Sequence, residues 1–547
     1  MKKWSAKVKL MGALALVGAV TVAFQQADIY FLIKKNFTIF SETYENVALE
    51  YVDMVDPELL MRNGMEAMLE TLDPYTVFYD ESQNEQAEIL SRSNYAGIGI
   101  EAGYRDGQVV VVAPTEGGPA DKKGVRAGDV ILEIDGVSTE GLQPDEVQTL
   151  TVGEIGSPIT LLIQRFGIEQ PVVFELIRES IDVKNVTFSS RIGTSNEFGF
   201  IRLAQFGMNS AEEIRNALLE MLEQGELDGL LLDLRDNPGG ILQEAVAIID
   251  KFVEPGIGVV ETRGRIAEYN QSYETREPVL FDKPIIVLVN GGSASASEVV
   301  SGALQDLDRA VIMGERSFGK GLVQIVKPMP YNTSLKITIS RYYTPSGRSI
   351  QSVAYTHNGR NSTVSREETA NRVFSTRNGR PVKEGRGIEP DIEMETPAPS
   401  LLEVALYRDG GLFDFATQYE ATHSSFEHQE LPSGVIEQFK QFLTDNDFDF
   451  NTESEILLNE LEASLENPDA VRSQLTALKA AINQEKDALF EANKDFISET
   501  LFLELVSRYS GQTQRTEASL RFDPQVHKAL QLLENPEQLT SILAGQQ

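Results

Sequence analysis

Apolar side chains recur at helical spacing from Phe40 onward, at Tyr44, Val47, Ala48, Tyr51, Val52 and Val55. "DPELL" at 56–60 then offers Asp56 as a helix cap with Pro57 in the first turn. A second stripe, Met65, Met68, Leu69 and Leu72, runs out near "LDPY". The pattern predicts a small helical N-terminal region over 37–90, a packing module with no chemistry of its own.

The period changes near residue 93. "GIGIEAGY", "QVVVVAP", "DVILEIDG" and "PITLLIQR" are short β-like runs divided by glycine turns, with one helix near "PDEVQTL". They make a compact domain over 93–180. Beyond it, "FGFIRLAQF", a helix opened by a Ser210/Glu213 capping box, "LDGLLLDLRDNPGG", "KPIIVLVN", a helix over 295–307 and "RAVIMGE" alternate strand with helix. Apolar strands alternating with helices predict an α/β layer with a buried, largely parallel sheet, here over 181–396. "SLKITISRYYTPSGRSI" returns to strict alternation and "GIEPDIEM" closes the domain. Residues 352–384 are polar and aperiodic and read as an inserted or mobile loop. From 399 to 547 the chain turns acidic and helical, a packing or partner-docking domain.

Composition removes whole classes of function. Acidic residues outnumber basic ones by 83 to 48 in the 547 residues, so the field repels nucleic acid, and none is expected as a partner. No cysteine is present, which excludes disulfides, thiolate catalysis and cysteine-ligated zinc. His357, His423, His428 and His527 all lie after residue 350, so a serine-histidine-aspartate triad inside the central domain requires the far end of the chain to fold back. At the start, Lys2, Lys3, Lys7 and Lys9 precede the apolar run Leu10–Phe24. Fifteen residues make a helix of about 22 Å, short of the roughly 30 Å hydrocarbon core. Residues 1–27 therefore read as a signal peptide or an N-terminal anchor, and the bulk of the chain as exported, to the bacterial periplasm, soluble or tethered to the inner membrane.

Candidate chemistry gathers in the central domain. "GERSFGKG" at 314–321 has phosphate-loop spacing, but Gly321 stands where a hydroxyl would hold magnesium, and "LVQIVKP" after it reads as a strand rather than a helix. "NGGSASASE" at 290–298 puts Ser295 at a strand-to-helix turn, where serine suits both a capping box with Glu298 and a nucleophile. With no histidine nearby, Lys320 is the base the sequence presents most clearly, and it must be held neutral by burial. Gln324 falls on the same face of an extended strand and could orient the amine. "DNPGG" at 236–240 supplies a glycine turn for amide donors, with Gly240 and Ala296 the choices for an oxyanion hole.

In this order, "GFIRLAQF", "LDLRDNPGG", "VNGGSASASE", "GERSFGKGLVQ", "YYTPSGRSIQ" and "GIEPD" resemble the signatures of the carboxy-terminal processing peptidases, or tail-specific proteases. The likeness covers roughly residues 40–396, and 93–180 resembles the PDZ domain of that family. It implies a multidomain α/β protein, a PDZ domain joined to a crotonase-like α/β serine protease core, with helical N- and C-terminal regions. It also implies Ser295 as nucleophile, Lys320 as general base, Gln324 as its orienter, and Gly240 with Ala296 as oxyanion hole. Hydrolysis would pass through an acyl-enzyme, with no metal and no cofactor. In "YAGIGI", Gly97, Ile98, Gly99 and Ile100 are the expected tail-binding residues, their amides holding the C-terminus of a protein substrate. Homo-oligomerisation, an adaptor protein and N-terminal membrane anchoring stay open, as does an inactive PDZ adaptor or chaperone.

Overall fold

The computed structural model describes residues 29–546 except 82, 85–93, 106, 356–362, 366–371, 428, 449, 451 and 466–470. The apolar run Leu10–Phe24, and with it the expected signal peptide or anchor, lies outside the described residues. Among those described, no helix is long and apolar enough to cross a membrane.

Two compact units form. The first joins the N-terminal region, up to residue 81, with 324–338 and 355–364. It holds a helix over 29–50 and the helix Pro57–Leu69, whose cap Asp56 accepts the Glu58 and Leu59 amides at 2.9 and 3.3 Å. The strand Val77–Tyr79 pairs antiparallel with Ser334–Lys336, which assigns the distal part of the strand Thr333–Tyr343 to this unit and not to the 181–396 core the sequence suggests. The helical stripe from Tyr44 to Val55 contains no buried residue, so its periodicity does not mark a core face here.

The second unit contains the rest. The part over 93–180, which resembles a PDZ domain, is a sheet with Ile100–Arg105 at one edge, followed by Gln108–Pro114, Val130–Ile134, Pro158–Gln164 and Val172–Ile177. Val109, Val111, Ile131, Ile134, Ile159, Leu161 and Ile163 form its core. The helix Pro144–Thr151 packs beside the edge strand.

The central part, over 181–396, is built on a six-stranded sheet. Val186–Ile192 is antiparallel to Phe198–Leu203, and Gly229–Asp233, Ile285–Val289, Val311–Gly314 and Ile392–Glu393 continue it in parallel. Period-two alternation splits the strands between two cores. Ile201, Leu203, Leu230, Leu232, Val287 and Ile312 face the helices Ser210–Glu223, Leu242–Ile249 and Ala296–Asp306. Phe198, Phe200, Leu231, Ile286, Leu288 and Met313 face the other way, onto Val526, Ala529, Leu532, Leu533, Leu539 and Ile542. The last two helices, Pro524–Leu533 and Pro536–Leu543, therefore cover the second face of the sheet, and 399–547 is not a wholly separate domain. A parallel sheet buried on both faces demands such a cover, which the middle of the chain does not supply.

Two local expectations are corrected. Asn209, in the left-handed conformation, precedes the helix Ser210–Glu223, and Glu213 accepts from the Asn185 and Val186 amides at 2.9 and 2.8 Å instead of closing a capping box on Ser210. The 352–384 stretch is not aperiodic throughout: Val373–Ser375 pairs with Pro381–Lys383, and buried Arg380 binds Asp308 at 2.6 Å as well as Asp391. Those ion pairs hold as backbone structure what composition presents as a loop.

Candidate active site

Three loops leave the carboxyl ends of the parallel strands, where ligands bind in open α/β sheets. The first follows Gly229–Asp233 and is the "DNPGG" turn. Asn237, fully buried, donates to the Leu203 carbonyl at 2.7 Å, and its Oδ1 accepts the Gly239 amide at 2.9 Å. The second loop follows Ile285–Val289 and carries the serine. It is stitched to the first: the Asn237 carbonyl accepts the Ala294 amide at 3.0 Å and the Ser297 hydroxyl at 2.8 Å, and Ser293 donates to the Leu234 carbonyl at 2.8 Å.

Ser295 sits at φ 55° and ψ −111°, a conformation that an L residue adopts only under constraint, and caps the helix Ala296–Asp306. Every residue of that helix is buried, Glu298 among them. The Glu298 carboxylate accepts the Ser295 amide at 2.9 Å, as a capping box expects. It also reaches the third loop, which follows Val311–Gly314. The oxygen that takes the Ser295 amide takes the Lys320 amide at 2.8 Å, while its partner oxygen takes the Ser317 hydroxyl at 2.6 Å and the Gly319 amide at 2.7 Å. Ser295 and Lys320 thus hang by their backbones on one buried oxygen. Burial pushes the Glu298 carboxyl up, against the pull of these four donors.

The glycines beside Lys320 are required by a close approach. A Cβ on Gly319, at φ 88°, would lie 2.2 Å from Ser352 Oγ, and one on Gly321 would lie 2.7 Å from the Gln351 amide nitrogen. Lys320 itself is half-buried, and a strand, Leu322–Met329, follows it, so no helix N-terminus is available to a phosphate.

Gly240 and Ala296 are the expected oxyanion donors. Gly240 lies at φ 147° and bridges Phe206, with the Ile241 amide on the Phe206 carbonyl at 2.8 Å. Its neighbour Gly239 packs so close to the serine turn that a Cβ there would stand 2.8 Å from both the Ser295 Cβ and the Ala296 nitrogen. Among the described residues, neither the Gly240 nor the Ala296 N–H meets an acceptor in the chain. Gln324 belongs to the first unit, where its amide donates to Thr338 Oγ1 at 3.1 Å, and that hydroxyl donates to Asp73 at 3.2 Å.

Two groups escape the sequence reading. Tyr342 is buried in the same core as Ala296, its amide donates to the Gly321 carbonyl at 2.9 Å, and burial pushes its phenol up to about 12. Alternation in "SRYYTPSG" shows that one of the two tyrosines faces inward, not what it meets. Arg235, just before the "DNPGG" turn, binds Asp233 and also Asp523, both at 2.7 Å, so the cap of a C-terminal helix is tied to the base of that turn. No local signal links residues so far apart.

In the PDZ part, Gly97 ends the strand Asn94–Gly97 and Ile98 is wholly buried in the core. Gly99 turns at φ 69° and Ile100 starts the edge strand. The carbonyls of Ile98 and Gly99 are taken by the Ala120 and Thr115 amides at 3.0 and 2.9 Å. Among the described residues, the amides of Ile98 and Gly99 find no acceptor in the chain. The Ile98 side chain is core, so any ligand meets its backbone.

Comparison with known proteins follows this division. The profile of peptidase family S41 matches residues 197–358, a PDZ domain profile matches 110–165, and "Probable PDZ-protease, C-terminal helical domain" matches 402–533. A carboxy-terminal-processing protease of Bartonella bacilliformis is 39% identical over 326 residues, 59% of this chain and 74% of that protein. A probable CtpA-like serine protease of Staphylococcus aureus is 30% identical over 74% of this chain and 75% of its own length. The solved photosystem II D1 C-terminal processing protease is 29% identical, covers 64% of this chain and 85% of its own, and has a TM-score of 0.36. The chain joins a PDZ domain to a protease core and belongs to the carboxy-terminal processing proteases of peptidase family S41, which are serine peptidases.

Proposed function

We propose that the chain is an exported endopeptidase that captures the C-terminal tail of a protein substrate on its PDZ domain and cleaves it at Ser295. The observation that carries this reading is the shared Glu298 oxygen, which fixes the backbones of Ser295 and Lys320 together. Lys320 takes the Ser295 proton as Oγ attacks the peptide carbonyl, and the amides of Gly240 and Ala296 receive the oxyanion. The lysine then returns the proton to the leaving amine, and water, deprotonated in turn by Lys320, hydrolyses the acyl-enzyme. Gln324, its amide fixed by Thr338, orients the lysine.

The tail adds as a strand along the open edge of Ile100–Arg105, with its carboxylate on the amides of the Gly97–Ile100 turn. The relatives named for carboxy-terminal processing support protein C-termini as the substrate class. The reading places the enzyme in the bacterial periplasm, soluble or tethered to the inner membrane by its N-terminal segment, as a homo-oligomer or beside an adaptor.

The test incubates the full chain with a protein bearing an apolar C-terminal tail, in chelator and without ATP, beside Ser295→Ala and Lys320→Ala. Cleavage by the wild type and by neither variant is expected. Tail binding with no cleavage under any condition would leave an inactive PDZ adaptor. Cleavage surviving in Lys320→Ala would mean that another base serves.

A further inference from the structure

We propose that Arg235 is a positioning residue of this centre and that Asp523, at the head of a C-terminal helix, completes it: their ion pair holds the glycine turn that carries the Gly240 amide. The inference rests on the reading of Gly240 as an oxyanion donor in a reaction at Ser295.

The turn after the strand Gly229–Asp233 is not relaxed. Asp236, Gly239 and Gly240 stand at φ 58°, 97° and 147°, conformations that persist where the surroundings hold them. The far end of the turn is held by its neighbours, the Gly239 carbonyl taking the Phe206 amide at 3.0 Å and the Asn237 carbonyl taking the Ala294 amide at 3.0 Å. The near end is held by Arg235. Its amide and Nε both donate to Asp233 Oδ1, at 3.0 and 2.9 Å, and Nη2 donates to Oδ2 at 2.7 Å. Asp233 is fully buried, so its charge requires this two-pronged partner. The bonds close over Leu234, whose carbonyl takes the Ser293 hydroxyl of the serine loop at 2.8 Å.

The other side of the guanidinium meets the helix Pro524–Leu533. Nη2 lies 2.7 Å from Asp523 Oδ2, and Nη1 donates to Gln525 Oε1 at 3.2 Å. Asp523 Oδ1 accepts the Gln525 and Val526 amides at 2.9 and 3.1 Å and so caps the helix. One carboxylate gives one oxygen to the helix and the other to the arginine. The helix is itself fixed, by Val526, Ala529, Leu532 and Leu533 packed on the sheet and by Gln525 donating to the Met394 carbonyl at 3.2 Å. Arg235 is therefore clamped between the end of a strand and a body that does not move with the turn. An amide that must meet a transient charge depends on such a clamp, because a small misplacement is multiplied in the rate. On this reading the C-terminal helices are part of the centre as well as a cover for the sheet.

The experiment uses the full chain on a tailed protein substrate and separates the two jobs of Asp523. Asp523→Asn keeps a good helix cap and removes the charge from Arg235, whereas Asp523→Glu keeps the charge and gives up the favoured cap. Asp523→Asn is expected to lower kcat about tenfold, with KM and tail affinity within about twofold. Asp523→Glu is expected to lower the urea midpoint and to keep kcat within about threefold of wild type. Leu539→Ala opens the same helical cover without touching Arg235, and it is expected to lower the urea midpoint with kcat within about twofold. A kcat within about twofold of wild type in Asp523→Asn overturns the proposal. So does a kcat loss in Asp523→Glu or Leu539→Ala as large as that in Asp523→Asn, since docking of the helix and not the ion pair would then govern turnover. A dead Ser295→Ala beside a fully active Asp523→Asn sinks the ion pair alone, whereas an active Ser295→Ala sinks the serine reading and this proposal with it.

Discussion

The serine turn and the PDZ turn both end in backbone amides with no acceptor among the described residues, at Gly240 and Ala296 in one and at Ile98 and Gly99 in the other. What surrounds them differs. Around the first pair, buried Asn237 takes the Gly239 amide, and buried Glu298 takes the Ser295, Gly319 and Lys320 amides and the Ser317 hydroxyl. The second is held by two carbonyl bonds and one left-handed glycine, beside an open sheet edge. A donor that must meet a transient charge has to be fixed beforehand, because misplacement is multiplied in the rate. A donor that holds a stable carboxylate can share the work with a whole added strand.

The sharpest break of that contrast is Glu298→Gln. An amide there keeps one acceptor oxygen for four donors and turns an N–H toward them, leaving buried donors unpaired at a cost of about 3 kcal/mol. Because the Ser295 and Lys320 backbones shift together, kcat is expected to fall on the order of 10³-fold. Steady-state kinetics and a urea midpoint check both. A variant within tenfold of wild type would show that the centre does not depend on this carboxylate. Gly240→Ala is next: at φ 147° its new Cβ would lie 2.3 Å from the Phe206 carbonyl oxygen, displacing the donor. A kcat loss of about 10²-fold is expected, the effect of removing one oxyanion donor, with tail affinity unchanged by fluorescence anisotropy.

The PDZ turn answers in the opposite currency. Gly99→Ala puts a Cβ 3.1 Å from that of Thr115 at φ 69°, which strains the turn without touching the serine. Tail affinity is expected to drop about tenfold, while turnover of a short peptide that lacks the tail stays at the wild-type rate. Equal losses on both substrates would mean that the two sites are not separable in this way.

Much of the candidate centre is legible in the sequence because its determinants are short: a serine at a strand-to-helix turn, a lysine between glycines, a glycine turn after an apolar strand. The structure adds the reason for the glycines, namely Ser352 and Gln351 lying against Gly319 and Gly321. Glu298 is visible as a cap but not as the junction of two loops, because the second loop approaches only through the fold. Tyr342 against Gly321, Arg235 with Asp523, and the helices that cover the second sheet face are pairings made by the fold, and periodicity carries no information about partners. The hairpin around Arg380 fails for the opposite reason: its polar composition matches a loop, and two aspartates outside the hairpin, Asp308 and Asp391, make it structure.

The smallest effect is expected where the PDZ part meets the C-terminal helices. Arg105, at the far end of the edge strand, reaches Asp414 at 3.3 Å and the Asp409 carbonyl at 3.1 Å, and its guanidinium lies 4.8 Å from the Phe413 ring centre. Arg508 stacks on the same ring at 4.1 Å. Gly410 leaves the room, since a Cβ there would overlap the Arg105 guanidinium. The Arg105 side chain is partly solvated, so the ion pair is worth little and the ring contact about as much again. Arg105→Ala is expected to cost about 1 kcal/mol in urea unfolding, to lose most of that difference in 1 M salt, and to leave tail affinity and kcat within twofold. A tenfold change in tail affinity would instead make this contact part of the recognition site, and the contrast between a fixed centre and a lightly held groove would have to extend into the helical domain.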